Sequence, residues 1–146
     1  MKGYLLDTNL LIALLWPSHE WHDLAVKWFT AHRSAGWATC PFTEAGFVRI
    51  VSNPAFSRDA VQPREAIQVL SANTAAKDHV FWPDELPVAG ALAFAGVRLM
   101  GHQQVTDAYL LGLATSRGGV LATLDKRIGA LTEPKSAERK ALETVD

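Results

Sequence analysis

Four acids could do chemistry together if the fold brings them to one place: Asp7, Glu44, Asp107 and Asp125. Asp7 closes the short run Gly3–Leu6, and Asp125 follows the run Val120–Thr123. Glu44 and Asp107 each follow a threonine, in Thr43-Glu44 and Thr106-Asp107. Singly, each acid has an ordinary explanation. A carboxylate in the first turn of a helix is favoured by the free amides and the dipole, by about 0.3–1 kcal/mol. A carboxylate in a turn bonds nearby amides. Together they are harder to explain away. Two carboxylates about 5 Å apart repel by roughly 3 kcal/mol at an effective dielectric of about 20. A site holding several must protonate or admit a cation. All-oxygen ligation suits a hard ion, magnesium or manganese. Such an ion activates water and steadies the charge on a phosphate under attack. Spacing alone does not show that the four meet. Thr8 and Asn9 share the loop of Asp7, where Asn9 could hold Asp7, bond a metal-bound water or cap a helix. Thr123, two residues before Asp125, could orient a ligand or end a strand.

The elements that must position these groups can be read along the chain. Gly3–Leu6 is a buried strand ending at Asp7. Leu10–Trp16 is a short helix stopped by Pro17, which biases Trp16 away from helical geometry. Ser18 can cap the next helix, where Trp21, Leu24, Ala25, Trp28 and Phe29 share one apolar face. Gly36 ends that helix, and Trp37–Cys40 forms a second strand. Thr43 can cap a helix through Phe47, Val48 and Val51 to about Ser52, and Asn53-Pro54 breaks it. Pro63 suits the start of a helix with apolar residues Ala66, Ile67, Val69 and Leu70. His79–Trp82 makes a third strand, and Leu86–Met100 holds one or two short helices. Thr106 caps a helix from Asp107 to about Ser116, closed by Arg117-Gly118-Gly119. Val120–Thr123 is a fourth strand, and a last one lies near Leu142–Val145. Strands alternating with helices imply a parallel sheet with helices on both faces. Ligands then bind beyond the carboxyl ends of the strands. That rule picks out Asp7 and Asp125 and leaves Glu44 and Asp107 unplaced.

The length of 146 residues predicts one domain, residues 1–146. With 49% hydrophobic and 20% charged residues, global disorder and a coiled coil are excluded. Cys40 is the only cysteine, so there is no disulfide framework and no cysteine-based zinc site. A reducing, cytoplasmic location is the natural expectation. The longest strongly apolar run, Leu10–Trp16, is too short to span a bilayer. Lys2 followed by apolar residues faintly resembles a leader, but Asp7 interrupts it and no small-residue cleavage site follows. His19 and His22 are three apart, a spacing that can bind metal, but a third ligand is missing and they read as a packed or solvated pair. Trp21 and Trp28 read as core or interface, and Cys40 as an inert buried thiol. An enzyme using Asp7 as nucleophile would want a second acid two residues on, where Asn9 stands; a phospho-acceptor domain would want adjacent acids after the first strand. No phosphate-binding glycine loop is present. The net charge of −1 weakens a nucleic-acid reading. Without the four acids, however, the remainder is +3, and one bound divalent ion brings the whole chain to +1. Arg49, Lys126 and Arg127 lie near the acids and could meet phosphates, contacts that position a nucleic acid without reading its sequence.

Leu5-Leu6-Asp7-Thr8-Asn9 through Ala13-Leu14, Thr43-Glu44 leading Phe47-Val48-Arg49, Thr106-Asp107-Ala108-Tyr109-Leu110, and Leu121-Ala122-Thr123-Leu124-Asp125 resemble, in order and spacing, the four acidic motifs of the PIN domain. The short length and the Leu-Trp-Pro-Ser-His stretch at 15–19 resemble the VapC toxins of VapBC toxin–antitoxin pairs. The resemblance runs from Leu5 to about Arg127. It implies a three-layer α/β/α sandwich with a mainly parallel central sheet. It implies a Mg2+- or Mn2+-dependent endoribonuclease, acting on transfer or ribosomal RNA loops. Asp7, Glu44, Asp107 and Asp125 match the catalytic acids, with Asp7 and Asp107 as first metal ligands and Glu44 binding the ion or its water. Asp125 matches the most variable of the four. The implied partner is a small VapB-like antitoxin, with an apolar anchor in a groove formed by Leu11, Leu15 and Trp16 and a basic side chain in the acidic pocket. A helix apolar on all sides also points to a homodimer. The competing reading is a catalytically silent PIN-like module that only binds protein or RNA; the loss of one or more acids would favour it, and all four are present.

Overall fold

A computed structural model describes residues 3–146; Lys2, on which the faint leader resemblance rested, lies outside the described residues. Five short apolar segments pair into one sheet: β1 (Tyr4–Leu6), β2 (Trp37–Thr39), β3 (His79–Phe81), β4 (Val120–Thr123) and β5 (Leu142–Thr144). The order is β3-β2-β1-β4-β5, and every pairing is parallel. The expected mainly parallel sheet is therefore parallel throughout. Seven α-helices connect the strands: α1 (Thr8–Leu15), α2 (His22–His32), α3 (Pro41–Val51), α4 (Pro63–Thr74), α5 (Val88–Leu92), α6 (Val105–Ser116) and α7 (Ala137–Lys140).

The period-2 alternation of a strand sorts these helices into two layers. Tyr4, Leu6, Trp37 and Ala122 face a core built by α1 to α4, with Phe29, Phe47, Val51 and Leu70 in it. Leu5, Ala38 and Leu121 face the opposite way, onto Ala91 of α5, Leu110 and Leu113 of α6, and Ala141 at the end of α7. Burial on both faces explains why the central strands β1, β2 and β4 are almost continuously apolar, while β3 and β5 at the edges are partly exposed. Each leucine wholly removed from water contributes about 1.5–3 kcal/mol, and Leu5, Leu6, Leu10, Leu11, Leu110 and Leu121 are among them. Among the described residues no helix is long and apolar enough to cross a membrane.

Two glycines let the layers close around the future site. A Cβ on Gly46 would stand 2.9 Å from the Thr8 side chain, so α3 can press against the first turn of α1. A Cβ on Gly112 would clash with the Ala91 carbonyl oxygen, so the glycine lets α5 lie directly on α6.

Several local expectations are corrected. Ser18 caps nothing: α2 starts at His22 after Trp21, and Trp21 is half exposed rather than on a buried helical face. Trp28 is partly buried and donates to Glu143 of β5. Thr43 is not the N-cap of α3. Pro41 opens the helix, as its fixed φ favours, and the Thr43 hydroxyl reaches back to accept from the Cys40 amide at 3.0 Å. Thr106 lies inside α6, which begins at Val105 directly after a 3-10 turn at His102–Gln104. Ile67 of α4 is exposed; Ala66 and Leu70, four apart, carry the buried stripe. Leu11 is fully buried and cannot line a surface groove. The all-apolar α1 packs against α2 and α3 within the chain, and its last turn, with Leu14, Leu15 and the following Trp16, stays partly exposed.

Candidate active site

The chain passes from β1 outward to β2 and β3, then returns to the other side of β1 for β4 and β5. The carboxyl ends of β1 and β4 therefore mark the point where the sheet order reverses, the usual place for a ligand in an open parallel sheet. Asp7 leaves β1 there. Its amide donates to the Ala122 carbonyl of β4 at 2.9 Å, and its carboxylate caps α1 by accepting from the Thr8 amide at 2.8 Å. The second carboxylate oxygen accepts from the Thr123 hydroxyl at 2.7 Å. Thr123 Oγ1 also accepts from the Asp125 amide at 3.0 Å, so one hydroxyl links both acidic strand ends. Asn9 does not hold Asp7. Its Oδ1 accepts from the Leu124 amide at 3.1 Å and its Nδ2 donates to Thr123 Oγ1 at 3.3 Å, which ties α1 to the loop after β4.

Asp107 approaches from the first turn of α6. Its carboxyl is pushed up to about 6, mainly by burial and further by the charges of Asp7 and Asp125. Asp7, almost wholly buried, is also raised, by desolvation against the opposing pull of Thr123 and Thr8. Asp125 goes the other way: Arg127 grips it at 3.0 Å through both Nε and Nη2 and holds it below the usual carboxylate range. The structure thus gathers Asp7, Asp107 and Asp125 within each other's fields.

Glu44 stands apart. Its carboxylate accepts from the Thr39 hydroxyl at 2.6 Å, and the same hydroxyl lies 2.7 Å from His79 Nε2. The single Thr39 proton goes to Glu44, so His79 Nε2–H is the donor in the second contact. Burial lowers the affinity of His79 for a second proton. Thr39 and His79 were not singled out from the sequence. A signal was present: β2 and β4 both end in Ala-Thr, at 38–39 and 122–123, and each threonine holds an acid.

Of the three bases expected near phosphates, Arg49 lines a groove with Asp7, Thr8, Asn9 and Asp107. Lys126 is exposed beside Asp125. Arg127 is already paired with Asp125 rather than free. His19 and His22 do not form a metal pair: His19 Nδ1 accepts from the Trp21 amide at 3.0 Å, and His22 Nδ1 lies 2.8 Å from the Ala13 carbonyl. Cys40 is fully buried, its thiol pushed up to about 11 by desolvation.

Among the described residues no three His, Cys, Asp or Glu side chains are grouped closely enough to enclose an ion by themselves. The donor chemistry nevertheless fits one particular kind of ion. Magnesium keeps several waters and is held by one or two carboxylates plus phosphate oxygens. Asp7 and Asp107 supply that number of hard oxygens in a place where their own repulsion calls for a cation.

Comparison with known proteins identifies the family and the fold. The PIN domain model matches residues 4–134. Ribonuclease VapC39 of Mycobacterium tuberculosis is 45% identical over 133 residues, covering 91% of this chain and 94% of that one. Ribonuclease VapC38 of the same organism is 44% identical over 132 residues, covering 90% and 91%. Among solved structures, VapBC2 from Rickettsia felis bound to a promoter DNA fragment aligns with TM-score 0.60 at 15% identity over 98% of both chains. DNA-bound VapBC from Salmonella typhimurium aligns with TM-score 0.57 at 18% identity, covering 88% of this chain and 90% of that one. These two likenesses carry the fold, a three-layer α/β/α sandwich. The family model and the close relatives carry more: the chain belongs to the PIN-domain family and, within it, to the VapC ribonucleases.

Proposed function

We propose that this endoribonuclease, the toxin of a toxin–antitoxin pair, cuts RNA with a magnesium or manganese ion held between Asp7 and Asp107. The observation that carries the reading is the convergence of Asp7, Asp107 and Asp125 at the reversal point of the sheet, with Asp107 raised by burial and further by both neighbours. Asp7 and Asp107 would hold a hard divalent ion, which would supply Lewis acidity toward a water and the scissile phosphate.

The chain's own residues do the rest. The Thr8 amide and the Thr123 hydroxyl each take one lone pair of Asp7, which fixes the direction of the remaining ones. Arg127 pairs with Asp125 and partly offsets the repulsion that the acids exert on Asp107. Arg49 meets a phosphate further along the strand, and Lys126 another; such contacts position the RNA. Glu44, held by Thr39, acts through water or after rotating away from that hydroxyl. Water attacks in line, and the products carry a 5′-phosphate and a 3′-hydroxyl. Exposed loops of transfer or ribosomal RNA present the unpaired backbone this cleft needs.

A VapB-like antitoxin is the partner. Its apolar anchor covers Leu15 and Trp16, which remain partly exposed, and a basic side chain enters between the carboxylates in place of the ion. The purified chain should cleave RNA only with added Mg2+ or Mn2+, leave 5′-phosphates, and fall silent when co-purified with the product of the neighbouring upstream gene. Cleavage equally fast in EDTA would overturn the metal reading. Sedimentation of the same preparation tests the expected homodimer.

A further inference from the structure

We propose that the hollow beyond Asp107 and Asp125 is a pocket for one unpaired RNA base, read at its edge by His102 and Gln103. The proposal rests on the ribonuclease reading above and extends it to substrate choice.

Asp107 is the wall between two hollows. One is the groove with Asp7, Thr8 and Arg49. The other, about 360 Å3, is lined by Met100, His102, Gln103, Asp125, Ile128 and Leu131 together with Asp107 itself. A strand whose phosphate lies at Asp7 and Asp107 sends one neighbouring nucleotide into each. The groove offers Arg49, a cation suited to phosphate. The second hollow offers no free cation: Arg127 on its rim is bonded to Asp125. In the groove Arg49 offsets the carboxylates, whereas here Asp107 faces the hollow without a free cation to offset it, so the hollow suits an uncharged base better than a phosphate.

The lining suits a base in other ways. Ile128 and Leu131 are 2% and 1% exposed and belong to the core behind α6, so the floor is apolar and rigid. Met100 is 86% exposed at the rim, an unbranched thioether that can lie on an aromatic face. Gln104 is committed to the loop, accepting from the Met100 and Gly101 amides at 2.7 and 3.1 Å. That anchoring leaves the neighbouring His102 and Gln103 exposed at the mouth. An amide and an imidazole above an apolar floor match how proteins read splayed-out RNA bases, by stacking and by hydrogen bonds to the edge.

The test uses the full chain and a single-stranded RNA library of random sequence. Sequencing the cleavage ends gives the base frequencies on each side of the cut. Wild type should show a strong preference at one flanking position, and Gln103→Ala and His102→Ala should flatten it about tenfold. Both residues are exposed, so the variants should fold; circular dichroism checks this. An unchanged preference in the double variant, with cleavage retained, overturns the pocket and leaves the ribonuclease reading standing. So does loss of antitoxin binding alone, which would assign the hollow to protein. A second arm is independent of cleavage: Asp7→Asn protein is irradiated with RNA carrying 4-thiouridine. Cross-links within the Met100–Gln103 segment support the pocket even if no variant cuts; cross-links only elsewhere overturn it.

Discussion

Replacing Asp7 or Asp107 by alanine is expected to lower RNA cleavage by at least about a hundredfold and to relieve the growth arrest caused by expression. The two variants should differ in stability. Asp7 caps α1 and receives the Thr123 hydroxyl, so Asp7→Ala loses a cap worth about 0.5–2 kcal/mol. Asp7→Asn keeps one acceptor, enough to cap α1 through the Thr8 amide, and turns its amide nitrogen toward Thr123; it should lose cleavage with a smaller loss of stability than Asp7→Ala. Asp107→Ala removes a strained charge and should unfold no more easily than wild type. Initial rates on one RNA, with melting curves on the same samples, check both points. Unchanged cutting by the Asp7 and Asp107 variants would sink the assignment of the site.

The metal-free protein should also be measurably destabilised by its own active site. The folded pKa of Asp107, about 6, lies above its unfolded value of 3.8. The native state therefore binds more protons between those values. The resulting stability is fully present below about pH 4 and lost as pH rises through about 6. His19 and His79, both lowered by burial, act in the opposite sense in an overlapping window. A pH scan of wild type alone would mix the two effects, and comparison with Asp107→Asn separates them. At pH 5 the two proteins should melt close together, because Asp107 is mostly protonated. At pH 7.5 the variant should be more stable by about 1 kcal/mol once solvent screening of this half-buried group is allowed for, or a few degrees in Tm. Magnesium at a hundredfold excess over Kd should then raise wild type by about 2.7 kcal/mol and leave Asp107→Asn nearly unmoved. A pH-independent gap between the proteins would show that the carboxylates are not crowded.

The acids could be found in the sequence because strand ends and helix starts are local features. Asp7 and Asp125 follow apolar runs, and a parallel sheet puts functional groups at such ends. The direction of Glu44 was not legible. It depends on β3 lying beside β2, which places His79 within reach of Thr39, and strand order is not a local property. Arg127 looked like a free cation because an ion pair two residues away does not show in a charge count. The helix starts at Thr43 and Thr106 were misplaced because Pro41 and the turn before Val105 begin those helices earlier. Leu11 looked available to a partner because an apolar residue reads the same whether it is covered from within the chain or from outside.

The bond between Asp7 and Thr123 joins residues 116 positions apart, with β1 lying between its sequence neighbour β2 and the late strand β4. During synthesis, β1 can pair with β2 early, but the cutting centre cannot assemble until the chain past Asp125 has emerged. A nascent chain that still lacks β4 is therefore expected to show no cleavage activity. Any premature stop before codon 123 yields an inert fragment. The acidic centre is therefore a late product of synthesis, formed only once β4 has been laid beside β1.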